Sequence, residues 1–140
     1  MPHYVERCFT VEEAARISGI KRTTLDVMLH RLGASCPISA KRGSRRWFSR
    51  RDIVVLSLVI ALENAGTSIA AAFAVASTAV AEPPDDDAIL LLDAETKDAR
   101  VIGDADVPRL LLEQSKILIP IGAMSARIAR ICGELYQHAA

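Results

Sequence analysis

Glycine at positions 19 and 33, with a Thr-x-x-Glu run ahead of the first, constrains this chain more than any other feature in it. Thr10 stands three residues before Glu13, the spacing of a capping box, and so starts a helix at Val11. Val11, Ala14, Ala15 and Ile17 then recur at roughly helical spacing. Gly19 ends that helix, because it takes a left-handed turn without Cβ strain, and Ile20 is the apolar residue inside the turn. A second helix is expected over 22–31, with Leu25, Leu29 and Leu32 on one face, Met28 beside them and Gly33 as its stop.

The next breaker is Pro37, within a loop over 34–40. Lys41-Arg-Gly-Ser-Arg-Arg-Trp-Phe48 places a turn glycine among basic residues and ends on two aromatics suited to a short strand, so it reads as a small β-hairpin. Trp47 and Phe48 are expected to pin that hairpin onto the core. Ser49 with Asp52 repeats the capping-box spacing ahead of a helix over 50–64, closed by Gly66. Thr67 is read as the cap of a further helix over 68–80.

Glu82-Pro-Pro-Asp-Asp-Asp87 is the clearest boundary in the chain. Two prolines stop the helix, and three consecutive aspartates are read as a solvated linker. Beyond it the periodicity changes. Runs at 88–92 and 99–102 flank a polar turn and read as a β-hairpin. Asp106-Val-Pro108 starts a helix expected to reach about residue 114. A strand over 116–121 and a helix over 125–137 follow, the latter burying Ile128, Ile131 and Leu135. The fold class is therefore mainly α with small β elements. An N-terminal winged helix-turn-helix (1–81) is followed by a linker (82–87) and a small α+β module (88–140) of ββαβα order.

Charge is also distributed unevenly along the chain. The net charge is zero, yet residues 1–66 carry 11 Lys/Arg against 6 Asp/Glu, while residues 67–140 carry 6 against 11. A basic half of this kind points to nucleic acid. Hydrophobic residues make up 51 % of the chain but aromatics only 4 %, so the core is expected to be built from Leu, Ile, Val and Ala. Cys8, Cys36 and Cys132 show no paired or zinc-type spacing and read as free thiols in a reducing cytoplasm. The run 53–62 is apolar but too short to span a membrane. The chain is expected to be cytoplasmic and associated with the nucleoid. No nucleophile–base pair or phosphate loop is present, so no enzyme activity, catalytic residue, metal or cofactor is expected.

A helix-turn-helix reads duplex DNA with the start of its second helix. Lys21, Arg22, Thr23, Thr24 and Asp26 fall there, and Arg31 ends the same helix. Arg can donate twice to guanine, Thr can touch a thymine methyl, and Asp can accept from cytosine. Lys41, Arg42, Ser44, Arg45, Arg46 and Arg50 form the basic segment expected to hold the phosphate backbone.

These residues also carry a family resemblance. Phe9-Thr-Val-x-Glu-Ala-Ala-x-x-Ser-Gly-Ile20, then Thr24-Leu25, Gly43, Arg46-Trp-Phe-Ser-x-x-Asp52-Ile and Gly66-Thr-Ser-Ile69 together resemble the MerR-type winged helix-turn-helix. The same architecture occurs in phage excisionases and small terminase subunits. The resemblance covers about residues 8–80. It implies a recognition helix over 21–31, a basic wing over 41–48 and a dimer on DNA. Carried over by position, Arg22, Thr23 and Asp26 match recognition-helix positions, Arg46 the wing arginine and Phe48 the wing aromatic. The chain departs from the pattern at Val27-Met28, where a tyrosine pair is usual, and at Pro83-Pro84, which precede no long coiled-coil helix.

The expected function is that of a sequence-specific regulator of transcription binding double-stranded DNA, more specifically a dimeric repressor of bacterial or phage origin. The homodimer is expected to form through residues 88–140. The alternative reading is an excisionase-like, architectural or packaging adaptor protein.

Overall fold

The computed structural model describes residues 3–33, 38–107 and 115–139. Helix α1 (Val11–Ser18) starts where the sequence places it, with the Thr10 hydroxyl accepting from the Glu13 N–H at 3.2 Å. Gly19 ends it in the left-handed region at φ +73°, where a Cβ is strained. Helix α2 (Arg22–Leu32) buries Leu25, Met28, Leu29 and Leu32 and leaves Val27 outside. Strands β1 (Ala40–Arg42) and β2 (Arg45–Trp47) pair antiparallel around Gly43-Ser44, with Gly43 at φ +64°. Phe48 continues past β2 and exchanges backbone hydrogen bonds with Phe9 at 3.0 and 2.8 Å. Both rings are buried, so the base of the hairpin is sewn to the segment that leads into α1. Trp47 is only half-buried, beneath the Arg42 guanidinium, so Phe48 alone enters the core.

Helix α3 (Arg50–Asn64) is the centre of the molecule. Ile53, Val54, Val55, Leu56, Leu58, Val59 and Leu62 are all buried, an apolar surface running most of the way round the helix. Such a helix is stable only inside a core. Its start is fixed twice over. Ser49 and Asp52 form the reciprocal capping box, and the Asp52 carboxylate also accepts from Arg7 Nε at 2.8 Å. Helix α4 (Ile69–Ala79) is capped by Ser68, whose hydroxyl accepts from the Ala71 N–H. The expected cap, Thr67, is one residue too early: it is buried behind the turn, and its N–H donates to Leu62. Upstream, Tyr4 donates its hydroxyl to the Val80 carbonyl at 2.8 Å, and burial pushes its phenol up to about 12. The amino-terminal segment thereby ties the start of α3 to the end of α4.

Strands β3 (Ala88–Asp93), β4 (Ala99–Gly103) and β5 (Lys116–Ile119) form an antiparallel sheet in the order β4-β3-β5. Asp93 anchors the turn between β3 and β4 by accepting from the N–H groups of Glu95 and Thr96, both at 2.9 Å. A short 3-10 turn (Asp104–Asp106) follows β4, and the rest of the helix expected over 106–114 lies outside the described residues. Helix α5 (Ile121–Ala139) begins four residues before the expected Ser125, because β5 ends at Ile119 and Pro120 accepts the first helical bond from Met124. The mixed α/β chain thus has, among its described residues, five α-helices and two small sheets.

Helix α5 lies across α3, α1 and β3. Its Ile121, Ile128 and Cys132 belong to the same buried cluster as Phe9, Phe48 and the α3 residues. The Tyr136 ring meets Phe9 edge-on, 6.4 Å between centroids. Gly122 admits the linker: a Cβ there would come within 2.2 Å of the Asp85 carbonyl oxygen. Cys8 and Cys132 are free thiols, and burial pushes Cys132 up to about 11. Cys36 lies outside the described residues.

Candidate nucleic-acid interface

The exposed side chains of α2 cluster at its start. Lys21, Arg22, Thr23, Thr24 and Asp26 all face solvent, while Leu25 between them is fully buried and fixes the rotation of the helix. No side chain caps α2, and no acidic residue lies in its first turn, so its N-terminal peptide dipoles point outward. Helix α1 and the β1–β2 hairpin stand on either side. Together they enclose a groove of about 470 Å3, lined by Thr10, Val11 and Glu12 from α1, Arg22 and Asp26 from α2, and Lys41, Ser44, Arg45 and Arg46 from the hairpin. Residues up to 36 positions apart in sequence are brought onto one surface, because Phe48 pairs with Phe9 and holds the hairpin against α1.

The cations on this surface differ in how they are held. Arg22 bonds two carboxylates, Glu12 through Nη1 and Asp26 through Nε at 3.2 Å. Those bonds raise its already high pKa, so it stays a cation under all ordinary conditions. Arg42 stacks 5.8 Å from the Trp47 ring and donates to the Arg7 carbonyl at 3.2 Å. Arg46 donates to the Ser39 hydroxyl at 3.2 Å. These contacts stiffen the hairpin and leave the positive charges at its surface.

Six of the twelve expected residues do not line the groove: Lys21, Thr23, Thr24 and Arg42, and two that are engaged elsewhere. Arg31, at the far end of α2, forms a 2.6 Å ion pair with Glu63 of α3 and so braces two helices. Arg50 lies over the Tyr4 ring at 5.4 Å. Glu12 is the residue that sequence reasoning passed over. Its position in the first turn of α1 gives it a local role at the helix dipole, and its pairing with Arg22 arises from the angle between α1 and α2. No periodicity or spacing signals that contact.

Arg7 is a further supporting residue. Its guanidinium meets the buried Asp52 carboxylate through both Nε and Nη2, at 2.8 and 3.3 Å, and its carbonyl receives Arg42. One residue therefore couples the cap of α3 to the hairpin. The bond to Asp52 raises the Arg7 pKa against the opposing effect of burial.

Among the described residues, no helix is long and apolar enough to cross a membrane. Comparison with curated proteins returns no match. Comparison with protein families matches residues 9–77 to the MerR HTH family of regulatory proteins. The matched stretch begins at Phe9 and ends within α4, and so contains both helices of the turn, the hairpin and all of α3. Residues 9–77 of this chain are a helix-turn-helix of the MerR family of DNA-binding regulatory proteins.

Proposed function

We propose that the protein is a sequence-specific repressor that binds duplex DNA as a homodimer, with residues 1–81 as the winged DNA-binding unit and 88–140 supplying the dimer contact. The observation that carries the reading is the groove in which the start of α2 meets a basic hairpin. Arg22, Thr23, Thr24 and Asp26 read base edges in the major groove, with Lys21 at the helix start. Lys41, Arg42, Ser44, Arg45 and Arg46 act as the wing and hold phosphates, with Arg50 at the rim. Arg31 supports this surface from the far end of α2. The sheet order β4-β3-β5 leaves β4 and β5 as edge strands, and Val101 on β4 is exposed, which favours the sheet as the place where two copies meet. Two modules on one molecule would gain affinity through effective concentration.

Selection of bound duplexes from a random pool, read by sequencing, tests the reading. A dimeric repressor enriches a palindrome or a spaced pair of half-sites. Phased direct repeats would replace it with the architectural, excisionase-like reading. A protein that sediments as a monomer at micromolar concentration would remove the dimer from the proposal.

A further inference from the structure

Arg22, Glu12 and Asp26 form one chain of charge across the junction of α1 and α2. All three side chains are solvent-accessible, between 47 and 72 % exposed. Ion pairs so exposed contribute little to folding. Their geometry has a clearer meaning for recognition. A guanidinium has five N–H donors, and these two carboxylates engage Nε and Nη1, leaving donors free on its outer edge. Asp26 sits on the Nε side of the guanidinium, with acceptor capacity left on its carboxylate. The surface therefore offers two donors followed by an acceptor.

In the major groove a G·C pair presents two acceptors on guanine followed by the cytosine amino donor. An A·T pair presents acceptor, donor, acceptor, and would set the adenine amino group against the guanidinium. We propose that Glu12 and Asp26 are specificity-determining residues that hold Arg22 in register for a G·C base pair, with Asp26 receiving the cytosine amino group and Glu12 acting as a positioning residue from α1. This rests on the reading of α2 as the base-contacting helix. Glu12 has a second effect. Closing the groove on DNA removes water, and a carboxylate near phosphates is tolerated only while Arg22 remains paired with it. An arrangement that draws Arg22 away to a phosphate leaves Glu12 unpaired, so the triad disfavours non-specific complexes.

The test compares full-length wild-type protein with Arg22→Ala, Asp26→Asn, Glu12→Gln and Glu12→Asp on a random duplex pool and on the duplex that the wild type selects. Wild type should fix a G·C pair at one position of each half-site, and Arg22→Ala should erase that preference. Glu12→Gln should keep the thermal midpoint of wild type, bind the random pool more tightly, and lower discrimination at the G·C position roughly tenfold. Asp26→Asn should lose discrimination at the same position, and Glu12→Asp should recover part of what Glu12→Gln loses. If Arg22→Ala erases the preference while Glu12→Gln changes selected and random duplexes by one common factor, the positioning role is overturned. If Arg22→Ala leaves the selected sequence unchanged, the reading of α2 itself fails.

Discussion

The molecule contains two β-hairpins built on opposite plans. β1–β2 holds Lys41, Arg42, Arg45 and Arg46 in two three-residue strands joined by two residues. β3–β4 holds Ile89, Leu90, Leu91 and Leu92 opposite Ala99 to Ile102, and its first strand is buried beneath α5. The basic hairpin cannot bury itself, since four cations packed together would cost more than their strands return. It is held at its base by Phe48 and along its side by the Arg42–Trp47 stack and the bond to Arg7. The apolar hairpin needs no such ties, because burial of its leucines holds it, at roughly 1.5–3 kcal/mol for each side chain fully removed from water. The basic hairpin is thus anchored at its base and exposed along its length, whereas the apolar hairpin buries its first strand and leaves Val101 of its second at the surface.

The largest expected effect tests that anchoring. Phe48→Ala should lower stability by about 3–5 kcal/mol in urea denaturation, as for deletion of a fully buried aromatic ring. Leu92→Ala in the other hairpin should cost about 2–5 kcal/mol. If Phe48→Ala left stability intact and removed only DNA binding, the base of the basic hairpin would not be part of the core. Next, Gly122→Ala should destabilise by about 1–3 kcal/mol, because the Asp85 and Asp86 carbonyls that crowd it are backbone and cannot swing away. A neutral result would mean that the linker does not rest on α5.

On the DNA side, Arg22→Ala should weaken selected-site binding by ~1–3 kcal/mol and relax the base preference. Arg45→Ala should weaken every duplex about equally and reduce the slope of binding against salt by ~1. Equal behaviour of the two variants in a salt titration would end the distinction between the helix that reads and the hairpin that holds. The smallest effect concerns the turn of the apolar hairpin. The Lys116 ammonium and the N–H groups of Thr96 and Glu95 hold the Asp93 carboxyl well below the usual carboxylate range. A depressed folded pKa contributes stability that is complete above the unfolded value, about 3.9, and is lost as pH falls toward the folded one. Wild type should therefore melt slightly above Asp93→Asn at neutral pH, and the two midpoints should draw together progressively as pH falls below about 3.9. A difference that persisted in acid would assign the role to the turn backbone alone.

Much of the architecture was legible because it is local. Thr10, Gly19, Ser49 with Asp52, and Gly66 act within a few residues of themselves, so caps and stops placed α1, α2 and α3 to within a residue or so. Where two candidates stood side by side, local rules lost their power. Thr67 and Ser68 can both cap a helix, and the one left at the surface does so. Likewise the sequence reading carries the strand to Ile121 and starts the helix only at Ser125, since a short apolar run carries no period of its own.

The sequence by itself determined which residues turn outward on α2 and in the basic hairpin, because helical and strand periods are fixed by backbone geometry. Only the tertiary structure decided what those residues meet. Glu12 reaches Arg22, Arg31 reaches Glu63 and Arg7 reaches Asp52 because three helices and a hairpin converge on one apolar cluster. The same convergence carries α5 across the Pro-Pro boundary onto α3. Hydrophobic burial sets that arrangement without direction, and the specific pairings of charge follow from where it leaves the helix ends.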